Sequence, residues 1–269
     1  MEIAAPSEIK VRSVPTSYNC DHPLKLKLEA AVFNHWGFEE LNKFGVNFCS
    51  RPMSKDELKV FLSTLVAFVG DIPNGIVSLA LRITDEWMNK DPLNATRIGA
   101  AVLFAAVDEY GLQDMEKGPQ ITHHQLFLEF SELCGVTSQD LYDTNNSLEE
   151  GLAFGRRTAD FYRFRSIPAA LGFHYASEAT SSFEFTHYLR GLKRFSSRYG
   201  FSENELDRSL LFFSIHTEVE ESHRDMALEM LNKYPGDIDE VSRLALEGVN
   251  GFMDGYGMFF KSLNSTIYS

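Results

Sequence analysis

The sequence predicts an all-α protein, folded as a single helical bundle. Three observations carry that expectation. Apolar residues recur at helical spacing along the chain, with no sustained apolar/polar alternation. Capping boxes recur at Ser54-x-x-Glu57, Ser147-x-x-Glu150 and Ser202-x-x-Glu205, and Asp237-x-x-Glu240 plays a similar part. Proline and glycine fall between the periodic stretches rather than inside them.

The elements follow in order. A loosely held arm is expected over residues 1–24, and one domain over 25–269. The first helix is expected at about 25–43 from its apolar period. The second, at 54–69, opens on the Ser54 box, and the third, at 75–89, follows Pro73-Asn74. Pro92 marks the start of a fourth at 93–112, and Gly118-Pro119 separates it from a fifth at 122–134. The Ser147 box opens 147–164, Pro168 sits in the first turn of 168–194, and the Ser202 box opens 203–232. A last helix, 238–263, follows Pro235-Gly236 and the Asp237 cap. The connections are short and no internal repeat occurs.

Composition narrows the function classes. The residues are 44% hydrophobic and 23% charged, an ordinary globular mixture. Acidic residues number 38 against 25 Lys and Arg, giving a net charge of −13. Such a surface repels phosphate backbones, and no basic patch offsets it, so nucleic acid is not an expected partner. Three scattered cysteines, Cys20, Cys49 and Cys134, form no CxxC and indicate neither a disulfide framework nor a thiolate zinc site. The first 15 residues lack the apolar stretch of a signal peptide. The longest apolar run, Ile98–Val107, is about half of what a membrane-spanning helix needs. The expectation is a cytoplasmic protein with no membrane partner.

The most informative stretch is Leu210 to Met230. His216, Glu220 and His223 stand there at i, i+4 and i+7, which places them within roughly 60° of one another on a helix. Phe212, Val219, Ala227 and Met230 share or flank that stripe, whereas Glu218, Glu221 and Asp225 lie opposite and read as a solvated face. A carboxylate on an apolar face costs several kcal/mol unless it is paired or metal-bound. Three further ionisable residues occupy apolar stripes: Glu109 with Ile98, Val102 and Ala105; Glu178 with Leu171, Phe185 and Leu189; His123 with Phe127, Phe130 and Cys134. Each also has an ordinary explanation. Glu109 can be a helix-end surface residue, Glu178 can pair with His174 or an Arg, and His123 can cap its helix.

Together these residues make a coherent donor set of three carboxylates and three imidazoles. Two Fe(II) ions would nearly neutralise it, and histidine with carboxylate and no thiolate favours Fe or Mn over structural zinc. Ferritin-like di-iron bundles use two Glu-x-x-His motifs, and only Glu220 to His223 is well placed here, so that assignment fails.

The ordered combination resembles the haem-oxygenase-like di-iron oxidases and oxygenases. It consists of Asp108-Glu109-Tyr110-Gly111, then His123-x-x-Leu126-Phe127, then Ala176-Ser177-Glu178-Ala179, then His216-x-x-x-Glu220-x-x-His223. These are iron-containing redox enzymes on the scaffold shared with thiaminase-like and pyrroloquinoline-quinone-synthase-like proteins. The resemblance covers about residues 25–263. It implies a bundle of about seven core helices, often dimeric, and six iron ligands: Glu109, His123, Glu178, His216, Glu220 and His223. His124 is the alternative to His123, because the segment after Glu109 is longer than usual and contains Gly118-Pro119. Position 220 is Glu where the family more often has Asp. His174 and Asp108 are candidates to orient the ligands through hydrogen bonds. The resemblance further implies O2 activation at two Fe(II) per chain. The expected substrate is small and amino-acid-derived, undergoing N-oxygenation or oxidative C–C cleavage, in natural-product biosynthesis. The alternatives are a cofactorless oxidase or thiaminase-like hydrolase on the same scaffold, and a non-enzymatic iron-binding protein.

Overall fold

The computed structural model describes residues 23–112, 118–201 and 206–269, and for residues 108 and 218–222 the backbone alone. Among the described residues there are twelve α-helices and no strand: α1 Pro23–Phe33, α2 Trp36–Phe48, α3 Lys55–Val69, α4 Ile72–Trp87, α5 Pro92–Glu109, α6 His123–Leu133, α7 Ser138–Tyr142, α8 Glu149–Phe164, α9 Ile167–Arg194, α10 Leu206–Ser209, α11 Leu211–Lys233 and α12 Ile238–Ile267.

The helix predicted at 25–43 is two helices. His35 caps the second, its Nδ1 accepting from the Gly37 amide at 3.1 Å. Gly37 then presses against α12, where an added Cβ would lie 2.4 Å from the Met253 carbonyl oxygen. α1 begins at Pro23, and Leu24 is already core. The helix predicted from 203 is also divided at Leu210, and the Ser202 box lies outside the described residues. The Ser54 box is present and Asp237 caps α12. The predicted Ser147 box is not formed: the Ser147 hydroxyl donates to the Ser63 carbonyl instead, and Leu148 is the N-cap of α8. A tertiary partner on α3 has displaced the local one. Two boxes not read from the sequence, Thr122 with Gln125 and Thr137 with Asp140, open α6 and α7.

The Lys55–Trp87 stretch is long and apolar enough to cross a membrane by length and composition alone. It is two helices that turn at Gly70-Asp71, and half of its most apolar window is buried within the bundle. α3 and α4 pack on α8, and α4 also packs on α5.

α9 is the central element. It packs along α11 and α12 and also touches α1, α2, α4 and α8. Its contact with α12 is backbone on backbone. A Cβ on Gly172 would lie 2.0 Å from the Ala245 carbonyl oxygen, and one on Gly248 1.9 Å from that of Ala169. Neither distance can be met by turning a side chain, so the crossing requires glycine from both helices. Around it the core is mainly aromatic: Phe68 stacks on Phe154, and Phe161 on Phe173.

Gly248→Ala should push α12 off α9 and cost about 1–3 kcal/mol of stability or more. Urea denaturation followed by circular dichroism measures this. An unchanged midpoint would show that the crossing tolerates a methyl group.

Candidate metal centre

Three elements converge at the first half of the site. α5 ends at Glu109, and Gly111 turns the chain in the left-handed region with φ +66°. An added Cβ there would lie 2.7 Å from two carbonyl oxygens, those of Gln120 and Ile121. The Gly111 carbonyl accepts from the Gln120 amide at 2.7 Å. That bond closes the connection, so that α6, opened by the Thr122 box, places His123 beside Glu109. α11 supplies His216.

Oε1 of Glu109 lies 3.3 Å from Nδ1 of His123 and 3.5 Å from Nε2 of His216. One ligand atom from each of the three residues lies within 4.8 Å of the others. Nδ1 of His216 lies 2.6 Å from the Phe212 carbonyl oxygen, to which it must donate. In a neutral imidazole the Nε2 lone pair then faces a carboxylate oxygen. Two acceptors stay so close only if a cation sits between them. Donors about 2.1 Å from one first-row ion, at 90–109°, are roughly 3.0–3.4 Å apart, whereas a proton shared between N and O prefers a shorter separation. Nε2 of His123 is buried with no hydrogen-bond partner. The donor set therefore fits a metal ion. Phe185 stacks on the His216 ring at 4.2 Å and Phe212 meets it edge-on, fixing its orientation.

The second half lies on α9 and α11. Oε2 of Glu178 is 3.4 Å from Nδ1 of His223, and Oε1 is 3.3 Å from Nδ1 of His174. The Tyr162 hydroxyl also reaches that His174 nitrogen, at 3.0 Å. A phenol can donate to or accept from an imidazole nitrogen, so Tyr162 satisfies His174 in either tautomer.

Charge explains the shifts. Burial works to raise the Glu109 carboxyl, but His123 and His216, when they carry a proton toward it, overcome that and hold it well below the ordinary range. Burial lowers His174, aided by His223 and opposed by Glu178, which favours the neutral ring. Burial raises Tyr162, and the nearby Glu178 and Glu109 raise it further.

Five of the six predicted ligands, Glu109, His123, Glu178, His216 and His223, line one cavity of about 340 Å³. The side chain of the sixth, Glu220, lies outside the described residues, as do those of Asp108, Glu218, Val219 and Glu221. Asp225, read as solvated, is half-buried beside Arg224. His123 points into the site, while His124 is exposed and meets the Tyr142 hydroxyl at 2.5 Å. Burial pushes the Cys134 thiol up to about 12, which disfavours a thiolate nucleophile there.

Glu184, Tyr162 and Tyr256 also belong to the site, although no sequence motif marks them. Glu184 lines the same cavity, buried, and accepts from the hydroxyls of Tyr188 at 2.6 Å and Tyr256 at 2.7 Å. Its signal is helical spacing: Ser177, Ser181 and Glu184 recur at i, i+4 and i+7 on α9 and all line the cavity.

The family model described as iron-containing redox enzyme matches residues 83–256. No curated protein matches the sequence. Among solved structures, a CADD-like protein of unknown function from Nostoc punctiforme superposes with a TM-score of 0.66 at 17% identity, over 91% of this chain and 97% of its own. A TenA homologue from Pseudomonas syringae pv. tomato gives 0.64 at 14% identity, over 89% of each chain. These likenesses establish the fold, a haem-oxygenase-like and TenA-like helical bundle.

Glu184 yields a stability prediction. Burial raises its carboxyl from 4.5 to about 7, against the two phenol hydrogen bonds that lower it. A group raised on folding stabilises fully below its unfolded pKa and loses that contribution as pH rises through the folded one. Stability should therefore fall between about pH 4.5 and pH 7, and Glu184→Gln should flatten that decline. Denaturation midpoints across this range measure it, and parallel profiles for the two proteins would contradict it.

Proposed function

This chain belongs to the iron-containing redox enzyme family, and we propose that it is an O2-dependent oxidoreductase working with two ferrous ions on a small, amino-acid-derived substrate. The observation that carries the metal part is the lone pair of His216 held against Glu109, with His123 completing the set. Glu109, His123 and His216 would hold one ion. Glu178 and His223 would hold the other, with Glu220 the expected further ligand. When bound, ferrous ions supply the electrons that reduce O2.

The residues of the chain do the rest. The Phe212 carbonyl fixes the tautomer of His216, and Phe185 and Phe212 hold its ring in place. His174 and Tyr162 orient Glu178. Phe127, Phe185, Phe212 and Phe252 line the cavity and limit water around the reacting atoms. The amino-acid-derived substrate follows from the resemblance, and the acidic cavity walls are compatible with an amine.

Anaerobic Fe(II) titration of the purified protein should give about two ions per chain, and mixing with O2 should oxidise them. Absence of stoichiometric binding would overturn the proposal. Glu109→Ala and His223→Ala should each weaken iron binding by roughly tenfold or more and abolish O2-dependent turnover, with helicity retained. Iron content and circular dichroism of the purified variants are the measurements, and full occupancy in either would remove that residue from the ligand set.

A further inference from the structure

We infer that Glu184 is the recognition point for a protonated primary amine on the substrate, which it holds by the nitrogen in the same cavity as the metal-binding side chains. The inference rests on the proposed oxidation taking place in this cavity, and it sharpens the substrate class.

Among the described residues, the cavity walls carry three carboxyl groups, Glu109, Glu178 and Glu184, and no lysine or arginine. The first two face imidazoles. Glu184 faces phenols, one on each oxygen. Burial raises both Tyr188 and Tyr256, and Glu184 raises them further, so both remain neutral donors. Two O–H donors hold the carboxyl in one orientation and leave a further lone pair on each oxygen. Among the described residues, no cation faces the group. A buried acid is costly without one, and an ammonium group supplies both the charge and the hydrogen-bond donors that the remaining lone pairs accept.

The walls define what is attached to that ammonium. Glu184 lies six residues beyond Glu178 on α9, roughly 9 Å along the helix axis. Ser177 and Ser181 line the intervening stretch, and Val66, Phe68, Phe212 and Phe252 give an apolar surface for a carbon skeleton. A nitrogen held at Glu184 is displaced along α9 from Glu178, next to Phe185, whose ring stacks on that of His216. An amino acid's own carboxylate finds no lysine or arginine among the described residues of these walls.

The test is calorimetric, on the full-length protein under anaerobic conditions, with and without added Fe(II). The probes are primary amines of four to ten carbons, straight-chain and aryl, each paired with the matching alcohol; hexylamine with 1-hexanol and 2-phenylethylamine with 2-phenylethanol are examples. At least one amine should bind about tenfold or more tightly than its alcohol. Glu184→Gln should bring that pair within about twofold while leaving the ferrous titration unchanged. Equal binding of amine and alcohol in every pair would overturn the inference, and this comparison needs no variant. Survival of the amine preference in Glu184→Gln would overturn it too. A Glu184-dependent preference in a protein that binds no Fe(II) would support the amine site while refuting the iron proposal, so the two fail separately.

Discussion

The structure depends on neutralising carboxylates inside an apolar bundle. Glu109 has two imidazole nitrogens at one oxygen, and one of them cannot donate while its ring is neutral, because His216 has committed its proton-bearing nitrogen to the Phe212 carbonyl. Without a cation between them, that contact repels. A proton or a metal ion resolves it, and the spacing of three donors around a common point favours the metal. The local chain geometry serves this convergence. Gly111 turns α5 back, the Thr122 box starts α6 at His123, and aromatic rings clamp His216 from two sides.

Placing these donors requires a helix frame that does not yield. α9 carries Glu178, His174 and Glu184, and its register against α12 is set where Gly172 and Gly248 admit carbonyl oxygens that no larger residue would allow. Backbone contact leaves little room for sliding, since a shift of one residue along either helix would bring a Cβ into the gap. The aromatic core then fills the space around a crossing already fixed. The same rigidity holds the Tyr256 hydroxyl of α12 against Glu184 of α9, a contact between residues 72 apart in sequence.

What the sequence disclosed, and what it withheld, follows from the range of the interactions. His216 and His223 were legible because both stand on the apolar stripe of one helix, and periodicity along a helix is a local property. Glu109, Glu178 and His123 were legible for the same reason, each as a polar residue where the stripe wants an apolar one. The break before α2 was missed because its cap is His35, which accepts from the Gly37 amide although histidine is not among the usual capping residues; the close approach of Gly37 to Met253 is tertiary and leaves no local signal. The Ser147 box failed because α3 offered the hydroxyl a better partner. Glu184 was missed because Tyr256 and Tyr188 are unremarkable aromatics until α12 packs on α9 and their hydroxyls meet a carboxyl. The choice between His123 and His124 needed the path of the turn after Gly111, which spacing alone does not determine.

The carboxyl groups of the cavity differ in what their partners can donate. Around Glu109 and Glu178 the partners are imidazoles, which offer a lone pair to a cation whenever they are neutral. Around Glu184 they are phenols, and burial beside a carboxyl keeps a phenol protonated. A protonated phenol presents its hydrogen, not a strong ligating oxygen, to the acid it touches. Among the described residues the partners of Glu184 are phenols and not imidazoles, a weaker donor set for a first-row ion than those around Glu109 and Glu178. The charge that Glu184 can accept is therefore a hydrogen-bonding cation rather than a metal. One continuous cavity thus separates two tasks by side-chain chemistry: imidazole with carboxylate where electrons are to be exchanged, and phenol with carboxyl where an organic cation is to be held.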